Sequence, residues 1–179
     1  MKSDNELMEC AIDGDKQAYE ELVIKYRSSA LNFARKYIND EYLAEDVIQE
    51  SFAVIYVRRK NYKFDYGFKT YLYTIIRNKC IDNIRKKKNL CFHELEDLQY
   101  SKSTEEIIID KENKSLLKNL FEKLNQNYQT ALYLYEFEGM SYKDIGKVMG
   151  KNLCQVKIMI HRARKKLLSL AEEVKYDER

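Results

Sequence analysis

Little in this chain can interrupt a helix. Its 179 residues include no proline and only five glycines, the two residue types that cost most inside a helix. Apolar residues return at intervals of three and four almost throughout, which is the period of an amphipathic helix and not the alternation of a strand. The fold class that follows is all-α. Around residues 89–113 the periodicity fails and the composition turns acidic, so we expect two small helical domains, 1–89 and 113–179, joined by a linker over 90–112. That linker carries Glu94, Glu96, Asp97, Glu105, Glu106 and Asp110, with a helical turn expected at 105–110.

Helix-start and helix-stop signals divide the first domain. A short helix over Ser3 to Ile12 is ended by Gly14, and Asp15 is placed to cap a second helix running to about Ile38. Asn39 and Asp40 break it. A third helix runs from Tyr42 to about Arg59, with Ala44, Ile48, Phe52 and Ile55 on its core face. Asp46, Gln49 and Glu50 lie on the other side, within about 100° of one another. This polar strip reads equally as a solvated face or as a docking surface for a basic partner. Residues 61–67 form a loop, followed by a helix from Phe68 that is apolar at its start and basic at its end. Phe68, Leu72, Ile75 and Ile76 are expected to face a core. Tyr62, Tyr66, Tyr71 and Tyr73 interleave with Lys63, Lys69, Arg77 and Asn78, as on a single-stranded nucleic-acid surface where rings stack on bases and cations follow phosphates. At least half of those tyrosines are expected to be core instead.

In the second domain, Leu116, Leu117, Leu120 and Leu124 begin one helix and Tyr128 to Glu138 form another. Then comes Ser141 to Leu168, two helices broken at Gly150. Ser141 and Asp144 fit a capping box, and Asn152 can cap the second helix. Val156, Ile160, Ala163 and Leu167 make one buried stripe, with Cys154, Ile158, His161, Arg162 and Lys165 opposite it. A helix-turn-helix with a basic outer face suits a DNA major groove; an ordinary helical hairpin with solvated lysines has the same pattern. The net charge is only +3, yet it is uneven. Arg77, Lys79, Arg85, Lys86, Lys87 and Lys88 form one basic block, and Lys157, Arg162, Arg164, Lys165 and Lys166 another, which suggests two contacts with a polyanion.

Several classes are disfavoured. No apolar run approaches a membrane span, and the N-terminus lacks a signal peptide's apolar segment, so a cytoplasmic protein is expected. The scattered Cys10, Cys80, Cys91 and Cys154 indicate neither a disulfide framework nor zinc, and Cys91 with His93 is too sparse for a metal site. We expect no cofactor, no metal and no catalytic residue, because clustered carboxylates, paired histidines and a Gly-rich phosphate loop are all missing.

Three stretches, taken in order, resemble bacterial sigma factors of the sigma-70 family, in particular the extracytoplasmic-function (ECF) group. AEDVIQESF (Ala44–Phe52) is similar to the family's polymerase-clamp helix, in region 2. FKTYLYTIIRNKCIDNIRKK (Phe68–Lys87) is similar to its −10 segment, and EFEGMSYKDIGKVMGKNLCQVKIMIHRARKKL (Glu136–Leu167) to its −35 helix-turn-helix, in region 4. The likeness spans Ala18 to Leu170. It implies a promoter-specificity subunit without catalysis of its own, partnered by core RNA polymerase (β′ clamp and β flap), promoter DNA and an anti-sigma factor, in relatives often membrane-bound. By the same resemblance Asp46, Gln49 and Glu50 would dock on the clamp. Tyr71, Arg77, Asn78, Asp82, Arg85 and Lys86 would line the −10 surface, with Asn78 near a flipped base. Ser141, Gln155, Lys157, Ile158, His161, Arg162 and Lys165 would face the −35 duplex, and the acidic linker would thread through polymerase as a nucleic-acid mimic. The chain departs from the family at Tyr71, where relatives often carry tryptophan. It departs again at Cys154 to Met159, where Cys-Gln-Val-Lys-Ile-Met stands for the common Gly-Thr-Val-Lys-Ser-Arg. There we expect Ile158 to meet a thymine methyl and Gln155 an adenine. The competing expectation is a free-standing helix-turn-helix regulator, which leaves the aromatic-basic helix and the polar strip unused; a small nuclease is a distant third.

Overall fold

The computed structural model describes residues 2–91 and 119–177, with side chains as far as 86 and 174 respectively. Among the described residues every regular element is helical. Helix α1 (Asp4–Ile12) starts at a complete capping box: the Ser3 amide donates to Glu6 Oε2 at 2.6 Å and the Glu6 amide to Ser3 Oγ at 3.3 Å. Asp15 caps α2 (Lys16–Ala34), its carboxylate accepting from the Gln17 and Ala18 amides. Helix α2 ends before the expected Ile38. Tighter bonds take over, from the Lys36 amide to the Phe33 carbonyl and from the Tyr37 amide to the Ala34 carbonyl, and they tuck Ile38 into the core. Asp40 then caps α3 (Glu41–Val57) through the Leu43 amide.

After a single 3₁₀ turn (Arg59–Asn61) and a loop, α4 (Phe68–Cys91) runs on past Asn89, where the linker was expected to begin. Ala44, Ile48, Phe52 and Ile55 of α3 are buried, as are Phe68, Leu72 and Ile76 of α4, while Ile75 is half-buried. Tyr62 and Tyr73 are core residues, whereas Tyr66 and Tyr71 stay half-exposed. The linker carboxylates, the 105–110 turn, Leu116, Leu117 and His93 lie outside the described residues, as does the side chain of Cys91.

In the C-terminal unit residues 119–122 are helical, and Asn125 caps α5 (Gln126–Leu132) through the Tyr128 amide. The expected helix through Glu138 is not α-helical to its end. It widens into a π turn (Tyr133–Phe137), in which the Glu138 amide reaches the Tyr133 carbonyl, five residues back, and the Tyr133 and Phe137 rings stack. Helices α6 (Tyr142–Met149) and α7 (Leu153–Asp177) complete the chain. Among the described residues no helix is long and apolar enough to cross a membrane.

The two units, expected as separate domains on a linker, pack against each other. Helix α6 lies against α4, and polar contacts cross the seam between the units. Lys69 Nζ is 2.8 Å from Glu138 Oε2 and donates to the Glu138 carbonyl at 2.5 Å. The Tyr37 and Thr130 hydroxyls bond at 2.6 Å, and the Tyr133 hydroxyl donates to the Ser29 carbonyl at 3.2 Å. Phe33 meets Tyr133 ring to ring, and Lys147 lies over the Tyr66 ring. Periodicity within a helix says which face is apolar, not which distant helix covers it.

Candidate nucleic-acid and polymerase interface

Three surfaces carry the residues singled out from sequence. On α3, burial of Ala44, Val47, Ile48, Ser51, Phe52 and Ile55 turns Asp46, Gln49 and Glu50 outward, and all three are exposed. The back of the helix is fixed by the Tyr19 hydroxyl, which donates to the Phe52 carbonyl at 2.7 Å. The strip is not purely acidic. Lys79 of α4 bonds Glu50 at 2.7 Å, and this contact holds the Glu50 carboxyl below its ordinary range. One ion pair therefore joins the strip to the basic helix beside it.

On α4, Asn78, Asp82, Arg85 and Lys86 are exposed and Tyr71 is half-buried. At about 100° per residue these five fall within one arc of about 100°. Tyr71 is backed by an aromatic cluster: its ring lies 5.2 Å from that of Tyr62, which meets Phe64 at 4.8 Å and anchors the loop by donating to the Tyr66 carbonyl. Arg77 is the exception. It lies about 80° beyond the edge of that arc by the same arithmetic, half-buried beside the Tyr37 hydroxyl, with its Nε buried and unbonded.

The third surface is the helix-turn-helix. Ser141 caps α6 by accepting from the Asp144 amide at 3.2 Å, and its hydroxyl donates to Asp144 Oδ2 at 2.5 Å. Gly150, with φ 64°, closes α6 in the left-handed conformation that glycine adopts without a steric penalty. Asn152 and Gln155 form a reciprocal box at the start of α7, with bonds of 3.0 and 2.8 Å. Gln155 Oε1 is thus already engaged, and the box sets that side chain's direction. Val156, Ile160 and Ala163 are buried and Leu167 partly so. Opposite them Gln155, Lys157, Ile158, His161, Arg162 and Lys165 are exposed, as is Ser141 at the start of α6. Arg164, from the same basic block, is occupied otherwise: it reaches Glu136 at 2.5 and 3.0 Å and covers the Tyr135 ring, bracing α7 against the π turn. Among the described residues no group of three or more His, Cys, Asp and Glu is arranged to hold a metal.

The comparisons with known proteins bear on the same stretches. The family model for sigma-70 region 2 matches residues 22–90 and that for sigma-70 region 4 matches 114–167. The RNA polymerase sigma-H factor of Pseudomonas aeruginosa is 31% identical over 178 residues, covering 91% of each chain. This chain belongs to the sigma-70 family. Its place is in the ECF group, and the ECF sigma factor SigW of Bacillus subtilis is 28% identical over 86% of this chain and 89% of its own. Among solved structures, CnrH in complex with the cytosolic domain of CnrY matches 96% of this chain and 99% of its own at 24% identity, TM-score 0.69. RpoE in complex with the anti-sigma factor NepR from Bartonella quintana matches 86% and 96% at 19% identity, TM-score 0.75. These two likenesses establish the fold of the sigma factor. It is a transcription-initiation factor of bacterial RNA polymerase and not an enzyme, and the free-standing regulator is not favoured.

Two thiols of the sigma factor should report on this geometry. Cys80 is buried in the α4 core and burial pushes its thiol up to about 12, whereas Cys154 is exposed at the start of α7. Since the thiolate is the nucleophile, Cys154 is expected to label rapidly with a maleimide at neutral pH and Cys80 only after denaturation. Peptide mapping of a timed reaction checks this; early label on Cys80 would contradict the packing of α4.

Proposed function

We propose that the three surfaces divide promoter recognition among them. Asp46, Gln49 and Glu50 dock on the β′ clamp of core RNA polymerase. Tyr71, Asn78, Asp82, Arg85 and Lys86 receive the melted −10 strand, with Arg77 on the adjoining face of the same helix. Ser141, Gln155, Lys157, Ile158, His161, Arg162 and Lys165 face the −35 duplex, and region 4 also meets the β flap. Residues 1–89 and 113–179 serve as the two functional units. The observation that carries this reading is the direct neighbourhood, through Lys79 and Glu50, of a rigid polar strip and an aromatic-basic helix, on the same chain as a well-capped helix-turn-helix. A free-standing DNA-binding regulator needs only the last of these.

The physical division of labour is simple. Phosphate contacts from Lys157, Arg162 and Lys165 set the register of α7, and base edges met by Gln155 and Ile158 choose the sequence. On the −10 side, extruding a base costs a few kcal/mol of stacking, which rings such as Tyr71 offset by about 1–3 kcal/mol per stacked base. The protein works in the cytoplasm and is restrained by an anti-sigma factor; this is supported by the structural neighbours, RpoE being bound to the anti-sigma factor NepR and CnrH to the cytosolic domain of CnrY.

Run-off transcription from a pool of genomic fragments, with core RNA polymerase and with or without the protein, tests the reading. Discrete start sites only in its presence are expected. If none appear and the protein alone shifts duplex DNA, the regulator takes its place. Ile158→Thr is expected to change which −35 sequences are used, by about tenfold at the affected base, since one base contact is worth about 1–3 kcal/mol. Core binding should stay constant. An unaltered start-site profile would remove Ile158 from base reading.

A further inference from the structure

The outer face of α7 is polar at its edges and apolar along its middle. Cys154 and Ile158 are both exposed, Ile158 by 50%. One helical turn separates them, so they fall within about 40° of one another and about 6 Å apart along the axis. Their line runs opposite the buried Val156, Ile160 and Ala163. Exposed polar groups border it, Gln155 and Arg162 on one side and Lys157 and His161 on the other, and Lys165 continues the line toward the C-terminus. The Asn152 amide donates to Gln155 Oε1 at 3.0 Å, which draws that side chain back to the helix start.

We propose that Cys154 and Ile158 together read thymine methyl groups, so that the −35 duplex this chain selects carries two thymines about two base steps apart, on one strand or on both. The proposal rests on the −35 reading of α7 given above. To the single methyl expected of Ile158 it adds a second specificity residue and a spacing. A thiol is a weak donor and a weak acceptor, and an isoleucine side chain is neither. The middle of the face therefore cannot follow the donor and acceptor pattern of a base edge. Of the groups lining the major groove, only the thymine C5-methyl offers an apolar surface to match. A guanine or cytosine at either step would lose water from its polar edge against a side chain that returns no hydrogen bond. The pair thus excludes as well as selects. Charge complementarity brings the duplex to this face: Lys157, Arg162 and Lys165 flank the apolar line, and their phosphate contacts hold it over the base edges.

The probe is a pool of DNA duplexes with a short randomised window, made once with thymidine and once with deoxyuridine, which lacks the methyl and keeps the hydrogen-bonding edge. The full chain selects from both pools, alone and with core RNA polymerase. The thymidine pool is expected to yield duplexes that share the spaced thymines, and the deoxyuridine pool to lose that preference. On a selected duplex, replacing either thymine by uracil should weaken binding about fourfold and replacing both about fifteenfold, the effect of burying one methyl and two. Cys154→Ser should abolish the response at one of the two positions and Ile158→Ser at the other, with helicity by circular dichroism unchanged. A side chain that merely steadied α7 would lower affinity for the thymine and uracil duplexes alike. A selected sequence indifferent to uracil, or responses that both variants retain, would overturn the methyl reading and leave the −35 surface in place. No selected sequence under either condition would overturn both. If the responses appear with the chain alone while no start sites arise with core polymerase, the methyl reading stands and the initiation reading falls.

Discussion

Gly146→Ala is expected to dismantle the helix-turn-helix while leaving residues 2–86 folded. Gly146 sits inside α6, where nothing in its own backbone demands glycine. The demand comes from the turn that joins α6 to α7. A methyl group added there would stand 2.6 Å from the Lys151 carbonyl oxygen and 3.7 Å from a methyl of Val156. The first contact is with backbone, so no flexible tip can swing aside. That carbonyl is also fixed on both sides: the Lys151 amide bonds the Gly146 carbonyl at 2.9 Å, and Gly150 turns the chain at φ 64°. Relief requires the turn at Lys151 to shift, and with it the seating of α7 on α6 through Val156. Overpacking costs about 1–3 kcal/mol and occasionally more; with rigid backbone as the obstacle, about 3 kcal/mol is expected. For a unit of this size that is a large share of a total stability of about 0.05–0.15 kcal/mol per residue. The thermal transition of the C-terminal unit should fall by about 10 °C or more, and footprints on the −35 duplex should vanish. Gly150→Ala, which meets open space, bears only the left-handed backbone penalty of about 1–2 kcal/mol. If the two variants melt alike, the close approach of the Lys151 carbonyl is not what selects glycine at 146.

Legibility from sequence followed the range of the interaction. Caps are local, and Asp15, Ser141 and Asn152, expected as N-caps, act as such in the structure, where Ser3, Asp40 and Asn125 do the same. Yet the box at Ser141 differs from that at Ser3. Glu6 reaches back to the Ser3 amide, whereas Asp144, one methylene shorter, accepts from the Ser141 hydroxyl instead. The buried stripes of α3 and α7 are also local, because 3.6-residue periodicity determines them wherever the helix docks. Arg77 shows the limit. Its neighbour Asn78 lies on the exposed arc, and the rotation of about 100° between adjacent residues carries Arg77 off it. Glu50 shows another limit, since its partner Lys79 is 29 residues away in sequence. The demand for glycine at 146 is likewise invisible until the turn after α6 brings the Lys151 carbonyl back against it. The seam around Lys69 and Glu138 joins residues 69 apart, and no pattern in either helix announces it.

Reversing the polar strip, Asp46→Lys with Glu50→Lys, is expected to abolish binding to core polymerase while leaving helix content intact. Truncating one member of an interfacial charge pair costs about 2–5 kcal/mol, so two reversals at the lower figure amount to about 1000-fold in affinity. The Lys79 contact complicates a simple reading. A lysine at position 50 would face Lys79 and lie near Lys86, so α3 and α4 would repel where they now attract. Loss of binding could then come from a shifted helix and not from a lost contact. A charge swap separates the causes, as in a double-mutant cycle. Glu50→Lys combined with Lys79→Glu restores an ion pair between the helices but leaves position 50 positive toward the partner. If the strip docks through Glu50, the swap recovers thermal stability and not polymerase binding. If it recovers both, Glu50 serves the packing of α3 on α4, and Asp46 and Gln49 alone are left to carry the docking surface.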